Sequence, residues 1–361
     1  MSKRNTSIAK IGFLIGKWGE DPIKKKHIKD FKEVPDHHRW KGDNIDVEVA
    51  IAYYIKRHYC VEIDIIEPDE VTKKRLLEND LNFCTGFDII TADWLWDFHP
   101  GLKKKVEPIF RQSKKYKIYP SWKLQNFVYR KGTYLKQFEK AGIPIAPTIL
   151  MRSTGTFNMA RVKKVIKKLV KTGWTRFVIK PEMGAGSFGF KMMSVADVVK
   201  KPDKLLKYFL QHYKNFPGFI LQQAMDGFTK YWEYRLWWYN GKFVYGIANK
   251  AAVVAGGTEI ISKNPPKKEL EICKKIGKRI FALLPKIKYH GTVSQPVMIR
   301  TDFGCCIGNT LDKSKYFLNE FELQAANYFT SHTPYPVIEK GAIAYVKKFE
   351  LVTGKKLREL K

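Results

Sequence analysis

A glycine-rich turn between two short apolar segments restricts the fold of this chain more than any other feature of its sequence. The turn occupies residues 184–189 and follows Lys180, and residues 176–180 and 191–194 on either side have the pattern of β-strands. Because glycine has no side chain, its backbone N–H groups can approach phosphate oxygens, and Ser187 adds a hydroxyl group. We therefore predict a β-hairpin that holds phosphate groups, with Lys180 directed at them. An ordinary glycine-containing hairpin is the alternative for this segment taken alone.

Two nucleotide-binding signatures match the sequence only in part. The spacing of Gly184, Gly186 and Gly189 fits the dinucleotide fingerprint, but that fingerprint needs a helix after the turn, and a strand-like segment follows here. The triplet Asp302-Phe303-Gly304 matches the DFG motif of protein kinases, but the sequence lacks the accompanying catalytic-loop and APE motifs. We therefore predict neither a dinucleotide-binding helix nor a protein kinase.

Carboxylates near the end of the chain form a second candidate site. Asp302 closes a strand predicted near 297–301, and Glu320 and Glu322 close another predicted near 315–319. Glu320 and Glu322 point to the same face, because the side chains of a strand alternate. Three carboxylates at adjacent strand ends suit Mg²⁺, which proteins usually bind with a few carboxylates and substrate phosphates. Arg300 shares the face of Asp302 and places a cation where negative charge can develop. The alternative is a surface strand whose charges face water.

The segment 219–227 lies between these two candidate sites in the sequence. It has the pattern of a strand that runs into a loop, and the backbone groups of such a loop can bind the edge of an adenine ring. A carboxylate a few residues later, Glu233, can accept hydrogen bonds from ribose hydroxyls. This interpretation depends on the neighbouring motifs.

Alternating strand and helix patterns in the first hundred residues indicate an open, largely parallel sheet. The predicted order is a strand at 11–15, a helix at 46–57, a strand at 61–66, a helix at 71–78 and a strand at 87–92. The loop 16–44 is long for a connector, and long loops often contact ligands.

The rest of the chain mixes helices with segments typical of antiparallel strands. Predicted helices cover residues 131–140, 160–171, 270–284 and 336–360. Predicted strands cover 176–180, 191–194, 219–223, 234–239, 243–247, 297–301 and 315–319. Asn240 and Gly241 form the two-residue loop of a predicted hairpin.

Composition narrows the classes of function that remain. A chain of 361 residues is long enough for two or three structural units, and 44% apolar residues argue against extended disorder. No apolar run approaches the roughly 18–20 residues of a membrane span, and no signal-peptide pattern opens the sequence, so a cytoplasmic protein without a membrane partner is expected. Five cysteines without a CxxC pair fit reduced thiols in a packed core.

The net charge of +31 is the most unusual bulk property of the sequence. A surface with this charge attracts polyanions such as nucleic acid, phosphorylated small molecules or acidic peptides. The surplus lysines are scattered through every segment. A lysine-rich composition without a functional role therefore explains the charge equally well.

Taken in order, these segments resemble the ATP-grasp superfamily, in particular its D-alanine–D-alanine ligase and ribosomal-protein-S6-modifying glutamate-ligase branches. RKGTYLKQFEKAGIPIAPTILM resembles the opening stretch of the family, and FVIKPEMGAGSFGF resembles its lysine and glycine-rich loop. FILQQAMDG with Glu233 resembles the adenine and ribose segment, IRTD the Arg-x-Asp motif, and NEFE the Glu-x-Asn metal pair. The resemblance covers roughly residues 115–330. Glu322 departs from the family's asparagine, and Gln222 and Gln223 stand where many members have glutamate.

The resemblance implies a role for each of these segments. The implied nucleotide-binding residues are Lys131, Lys180, Gly184, Gly186, Ser187, Gly189, Gln222, Gln223, Met225 and Glu233. Mg²⁺, as two ions that Mn²⁺ can replace, would bind Asp302, Glu320 and Glu322. Arg300 would stabilise a tetrahedral oxyanion, and Lys250 would reach the γ-phosphate or an acyl-phosphate. The glycine turn would act as a mobile lid over the phosphates.

The resemblance also implies the fold class and the order of domains. The expected class combines α/β and α+β: a Rossmann-like parallel β/α domain at 1–120 precedes an ATP-grasp core at 121–335. ATP would lie between the sheets of two subdomains, a small lid at about 150–225 and a large metal-binding subdomain at about 226–335. A C-terminal helix at 336–361 would pack on the core.

The implied activity is that of an ATP- and Mg²⁺-dependent carboxylate–amine ligase. Such an enzyme joins an amino-acid or peptide carboxylate to an amine through an acyl-phosphate, so its partners would be ATP, the acid and the amine. The positive charge leaves two alternatives open. One is an ATP-grasp kinase of a polyanionic small molecule such as an inositol phosphate, and the other is a basic nucleic-acid-binding protein with a degenerate ATP-grasp shell.

Overall fold

Three main sheets and two short ribbons organise the protein. The computed structural model describes residues 8–16, 29–40, 44–85, 101–184, 188–250, 260–262, 264–289, 292–306, 314–323, 328–330 and 336–360. The first sheet is parallel and the other two are antiparallel, so the expected mixture of α/β and α+β architecture is confirmed. Among the described residues no helix is both long and apolar enough to cross a membrane.

The parallel sheet lies in the N-terminal part of the chain. Its elements are β1 (Ala9–Leu14), β2 (Arg39–Trp40), β3 (Asn44–Ile45), α1 (Val47–His58), β4 (Val61–Ile66), α2 (Lys73–Glu78), β5 (Leu81–Cys84), α3 (Leu102–Phe110) and β6 (Ile118–Tyr119). The strands lie in the order β4, β1, β5 and β6, and each neighbouring pair is parallel. The strand predicted at 87–92 lies outside the described residues, and the third strand of the predicted alternation is β5.

A buried polar network explains why the sequence pattern missed β5. Asn82 lies inside this strand, and its side-chain amide donates to the backbone oxygens of Leu76 and Tyr116. Its side-chain oxygen accepts a hydrogen bond of 2.8 Å from Asn79. Asparagine is rare in strands because its side chain competes with backbone hydrogen bonds. Here the network satisfies that side chain, and the strand forms.

The second sheet belongs to the middle of the chain. The elements are α4 (Trp122–Tyr129), α5 (Lys131–Lys140), β7 (Thr148–Arg152), α6 (Met159–Lys171), β8 (Arg176–Pro181), β9 (Lys191–Ser194), α7 (Val195–Lys200), α8 (Asp203–His212) and β10 (Gly218–Gln223). Its strand order is β7, β10, β8 and β9. One face packs on the apolar side of α6, where Val162 and Leu169 contact a core that includes Phe177. The Asn158 side chain caps α6 by accepting a hydrogen bond from the Arg161 backbone.

The third sheet is the largest and carries the C-terminal motifs. Its part of the chain contains α9 (Asp226–Lys230), β11 (Glu233–Tyr239), β12 (Lys242–Lys250), β13 (Ile260–Ser262), α10 (Lys267–Leu283), β14 (Ile287–Tyr289), β15 (Thr292–Ser294), β16 (Met298–Cys305), β17 (Tyr316–Glu322) and α11 (Val337–Thr353). The strand order is β13, β12, β11, β16 and β17. The predicted hairpin between β11 and β12 is confirmed, and both Asn240 and Gly241 have the positive φ of its favoured turn.

Among the described residues, the two largest hydrophobic cores hold these sheets, and a third packs the parallel sheet against α2 and α3 through Leu76 and Phe110. The larger core joins the parallel sheet, the third sheet and the closing helix α11, where Phe13, Phe83 and Tyr345 contact one another. The smaller core lies between the second sheet and its helices. The second sheet therefore packs its own helices separately, which leaves its other face directed toward the third sheet.

Candidate nucleotide and metal site

Three carboxylates meet on one face of the third sheet. Asp302 lies opposite Glu320 in the register of β16 and β17, and Arg300 lies opposite Glu322. Oxygen atoms of Asp302, Glu320 and Glu322 all lie within 4.8 Å of one another. This spacing and these hard oxygen donors fit a divalent cation such as Mg²⁺. The prediction that the acids end their strands is wrong for Asp302, because β16 continues to Cys305.

A β-bulge shapes this face of the sheet. The register shifts between Asp302 and Phe303, so that Asn319 becomes an extra residue in β17. The amide of Asn319 donates a hydrogen bond of 2.9 Å to Glu233 on the strand beyond. The bulge thus links the side chains predicted to bind metal to the acid predicted to bind ribose.

Arg300 is the counter-ion of two of the three carboxylates. Its Nε and Nη2 atoms each donate to Asp302 at 2.9 Å, and Nη2 lies 2.7 Å from a Glu322 oxygen. The side chains of Arg300 and Asp302 are only 7% and 3% exposed, so neither charge is solvated by bulk water. Burial lowers the pKa of Arg300, but Asp302 and Glu322 raise it more, and the guanidinium stays charged. The predicted neighbourhood of Arg300 and Asp302 is thus a bidentate ion pair.

Two lysines approach the same cluster from other elements. Lys131, at the start of α5, forms an ion pair and a hydrogen bond with Glu320. Lys180 on β8 acts electrostatically on Glu320 from the opposite sheet. Burial tends to raise the pKa of Glu320, but these two lysines outweigh it and lower that pKa to about 2. Both lysines predicted to bind nucleotide therefore lie beside the predicted metal ligands.

The pKa of the neighbouring carboxyl group, that of Glu322, shifts in the opposite direction. Burial raises the pKa of Glu322 to about 7, and Arg300 only partly opposes this rise. Glu320 and Asp302 add to it because their negative charges are close. Such divergent pKa values in one cluster are typical of functional sites.

Arg235 completes the cluster, and the sequence reading did not include it. It lies opposite Asp302 in the register of β11 and β16, with its Nε 3.8 Å from an Asp302 oxygen. Its Nη2 also lies 3.2 Å from Glu233. Burial raises the pKa of Glu233, while Arg235 lowers it. The period-two alternation of β11 would have placed Arg235 on the face of Glu233.

The charges of this cluster balance one another. The four acidic members are Glu233, Asp302, Glu320 and Glu322, and the four basic members are Lys131, Lys180, Arg235 and Arg300. Buried charges are tolerated when each has a partner. The face is therefore rich in charge but nearly neutral.

Strand alternation divides the residues of the second sheet between its two faces. Phe177 and Ile179 of β8 pack in the smaller core between the second sheet and its helices, here called the lid core. Lys180 therefore points to the other face of the sheet. Burial lowers the pKa of Lys180 to about 8, although Glu320 opposes this change. Gln222 lies on the same face, because its strand neighbour Leu221 packs in the lid core, and its amide donates to the Thr148 hydroxyl at 3.0 Å.

Gln223 does not share that face. Alternation puts its side chain on the side of Leu221 and Phe219, toward the lid helices. Its backbone N–H donates to the Pro147 oxygen at 3.0 Å. The structure therefore places Gln222, and not the side chain of Gln223, on the face of Lys180.

A small apolar cluster connects the end of the second sheet to the third. Met225 packs there with Ala146, Cys306 and Phe317, and all four are buried. Apolar walls with a few polar groups are typical of cofactor pockets. The predicted adenine contact Met225 thus lies where β10 approaches the sheet that carries the three carboxylates.

The glycine turn joins β8 to β9 as an antiparallel pair, as predicted. Gly189 has φ 68°, and a Cβ atom there would lie 2.8 Å from Pro181, so glycine is required on both counts. A strand, not a helix, follows the turn, and this excludes the dinucleotide fingerprint. Gly184 is also described, whereas Gly186 and Ser187 lie outside the described residues.

Lys250 is not brought into the cluster. Its Nζ lies 5.2 Å from the centre of the Trp232 ring, a cation–π contact. Its neighbour Asn249 lies opposite Glu233 in the register of β11 and β12. Alternation therefore directs Lys250 to the face of the sheet opposite to that of Asn249 and Glu233, and its role at a phosphate stays a prediction.

A parallel sheet followed by two antiparallel sheets that face each other across lysines and carboxylates is the architecture of the ATP-grasp fold. Comparison with solved structures agrees. D-cycloserine synthetase DcsG has a TM-score of 0.63 and 13% identity, over 94% of this chain and 100% of that one. D-alanyl-alanine synthetase A from Vibrio cholerae has a TM-score of 0.59 and 12% identity, over 95% and 98%.

A third solved structure is similar over almost the whole chain. It is the ATP-grasp ligase PsnB in complex with a phosphomimetic variant of a minimal precursor, Mg and ADP, with a TM-score of 0.58, 10% identity and coverage of 94% and 98%. No protein-family model matches the sequence, and neither does any curated protein. At these identities the similarity defines the fold. The chain has the ATP-grasp fold, and the resemblance drawn from its sequence is confirmed at that level.

Proposed function

We propose that the protein is an ATP- and Mg²⁺-dependent ligase that joins a carboxylate to an amine. The observation that carries this proposal is the convergence of Lys131 and Lys180 on Glu320, within a cluster that also holds Asp302, Glu322 and Arg300. The similar structures are synthetases and ligases, one of them in complex with Mg and ADP. A shared fold alone does not fix an activity. The charged cluster is the local reason for this choice.

The site residues divide between nucleotide and metal in this proposal. The adenine ring contacts the apolar cluster around Met225 and backbone groups near Gln222 and Gln223, and the ribose contacts Glu233. Lys180 and the glycine turn hold the phosphates. Lys131, which pairs with Glu320 here, would serve as a second cation for a phosphate oxygen, and Glu320 would then be a ligand for the metal.

The donor set of Asp302, Glu320 and Glu322 fits Mg²⁺, because it offers hard oxygen ligands within 4.8 Å of one another. When bound, the ion neutralises phosphate charge and orients the transferring group. The balance of side-chain charges supports two ions. ATP brings about four negative charges at neutral pH, and two Mg²⁺ ions would restore neutrality in a buried site.

The proposed reaction has two balanced steps. A carboxylate oxygen of the substrate attacks the γ-phosphorus and displaces ADP, which leaves an acyl-phosphate. The amine nitrogen then attacks the acyl carbon, loses a proton and displaces inorganic phosphate. In this proposal Arg300 stabilises the oxyanion of the second step while it keeps its ion pairs with Asp302 and Glu322. The glycine turn excludes water that would hydrolyse the acyl-phosphate.

The cleft is defined here as the space between the second and third sheets that contains the charged cluster. Because that cluster is nearly neutral, it gives no local support to a polyanionic acceptor in the cleft. We therefore do not favour the small-molecule kinase, or a nucleic-acid-binding protein with a degenerate cleft. We also propose the domain division predicted from the sequence, with a Rossmann-like unit at 1–120 before the ATP-grasp core. A cytoplasmic location stays a prediction.

The decisive experiment measures phosphate release and product masses after incubation with Mg-ATP and pooled amino acids and acidic peptides. Glu320→Gln should reduce Mg²⁺-dependent turnover by more than about 100-fold, because it removes a metal ligand. Lys180→Ala should weaken ATP binding measured by calorimetry. Glu271→Gln, on the exposed face of α10, is the matched control and should behave as wild type. Undiminished turnover in Glu320→Gln would refute the metal assignment, and phosphoryl transfer without amide formation would favour the kinase.

A further inference from the structure

The lid, defined here as residues 150–225, carries a second pocket outside the cleft. The pocket has a volume of about 450 Å³ and lies between the β9 edge of the second sheet and helices α7 and α8. Its lining includes the buried residues Met193, Tyr208 and His212, and the exposed lysines Lys191 and Lys207. A partly apolar lining with cationic groups suits an organic anion.

The pocket is separate from the nucleotide site. Lys191 lies opposite Ile179 in the register of β8 and β9, so the two side chains share a face. Ile179 packs in the lid core, whereas Lys180 points from the opposite face toward the carboxylates. A ligand beside Lys191 would therefore lie on the reverse side of the sheet from the proposed phosphates.

His212 provides a buried polar group in this pocket. The residue is 7% exposed, and its ring contacts those of Phe188, Tyr208 and Phe216. His212 lines the pocket together with Tyr208. Burial and the nearby Lys191 lower its pKa, so the ring is neutral at physiological pH and offers one N–H donor. An anionic group bound in the pocket can accept a hydrogen bond from this donor.

The charge of the lid is far above the average for the chain. It contains 15 lysines and arginines but only three acidic residues. This net +12 is more than a third of the total +31, in about a fifth of the sequence. Part of the surplus is thus concentrated in the lid, and the remainder is distributed over the other segments. Around the pocket, Lys191, Lys204 and Lys207 outnumber the single acid Asp197.

We propose that this pocket binds a small organic anion with at least two carboxylate or phosphate groups. The lysines bind the anionic groups, His212 donates a hydrogen bond, and Met193 and Tyr208 contact the carbon skeleton. Tyr208 also donates a 2.6 Å hydrogen bond to the backbone oxygen of Gly189, which lines the pocket as well. The bound anion thus lies next to the end of the glycine turn. The proposal does not rest on the ligase activity.

The test titrates citrate and pyrophosphate separately into the full chain by calorimetry at constant ionic strength. The pocket variant is the double substitution Lys204→Glu with Lys207→Glu. Its control is Lys163→Glu with Lys167→Glu on α6, which changes the net charge of the lid equally. We expect the pocket variant to lose about tenfold or more in affinity, and the control to stay within about twofold, because only close charges act strongly.

His212→Phe provides a second test that leaves the charge unchanged at neutral pH, and it should also weaken binding. Lys180→Ala should leave citrate binding unchanged. Binding of citrate that the pocket variant weakens would identify a carboxylate ligand, and binding of pyrophosphate that the pocket variant weakens would identify a phosphate ligand; both outcomes support the site. Three results would overturn it: no binding of either anion, equal losses in the pocket and control variants, or loss of citrate binding in Lys180→Ala, which would place the anion in the cleft.

Discussion

Replacing Arg300 by methionine tests whether the charged cluster is held together as the structure indicates. Arg300 pairs with Asp302 and Glu322, and removing one partner of a buried pair costs about 3–5 kcal/mol, because the remaining charge is left uncompensated. Two features favour the lower end of this range. Arg235 lies 3.8 Å from Asp302 and compensates it in part, and Glu322 is 29% exposed. We therefore expect a loss of about 3 kcal/mol in the free energy of unfolding.

The response of the variant's stability to Mg²⁺ tests whether the metal binds at the carboxylates that Arg300 pairs with. An ion that binds Asp302, Glu320 and Glu322 supplies the positive charge that Arg300→Met removes. Urea unfolding in EDTA and in millimolar Mg²⁺ should therefore show a larger metal-induced stabilisation for the variant than for wild type, by about 1 kcal/mol or more. Arg111→Met, which breaks an exposed pair with Glu107, is the control and should change stability by less than about 1 kcal/mol.

Either of two results would refute this reasoning. A loss below about 1 kcal/mol without metal would mean that the ion pairs of Arg300 contribute no more than exposed pairs do. An identical effect of Mg²⁺ on wild type and Arg300→Met would mean that the metal does not bind at the carboxylates paired with this arginine.

Two further predictions concern buried side chains away from the cleft. Burial lowers the pKa of Lys348 from 10.5 to about 8, so the unfolded chain binds more protons between these values and stability should rise with pH across this window. Lys348→Met should abolish that rise. It removes the cost of burying the charge but also the hydrogen bond to the Gln295 backbone oxygen, so urea unfolding at pH 7 should show a net stabilisation of about 2 kcal/mol. A destabilised variant would contradict this. Gly277→Ala places a Cβ 2.4 Å from the Trp238 ring and should lower the free energy of unfolding by about 1–3 kcal/mol. The exposed control Lys278→Ala should leave stability unchanged. A melting temperature of Gly277→Ala at or above that of wild type would refute the overpacking.

Local sequence rules predicted the parts of the site that lie within single strands. Period-two alternation put Glu320 and Glu322 on one face and Arg300 beside Asp302, and the register of β16 and β17 agrees. The Asn240-Gly241 turn needed no tertiary information, because its two positive φ angles follow from residue type.

The features of the fold and the site that the sequence did not predict depend on contacts between residues far apart in the chain. Lys131 and Glu320 are 189 positions apart, and nothing local to either indicates that they pair. Arg235 was overlooked because an arginine within an aromatic strand is compatible with an exposed edge, and only the central position of β11 makes it part of the cluster. The hidden strand β5 required the asparagine network, which forms only in the folded chain.

The charge of the chain is distributed differently in the cleft and in the lid. In the cleft, four acids face four bases, three of which form close ion pairs, so the chain's surplus of positive charge does not contribute to the proposed Mg-ATP site. In the lid, 15 basic residues face only three acids, and Lys180 is the lid lysine that acts on the cluster around Glu320. An anionic partner would therefore be attracted first to the outer surface of the lid, where its contacts with Gly189 would reach the glycine turn without competing for the metal ligands.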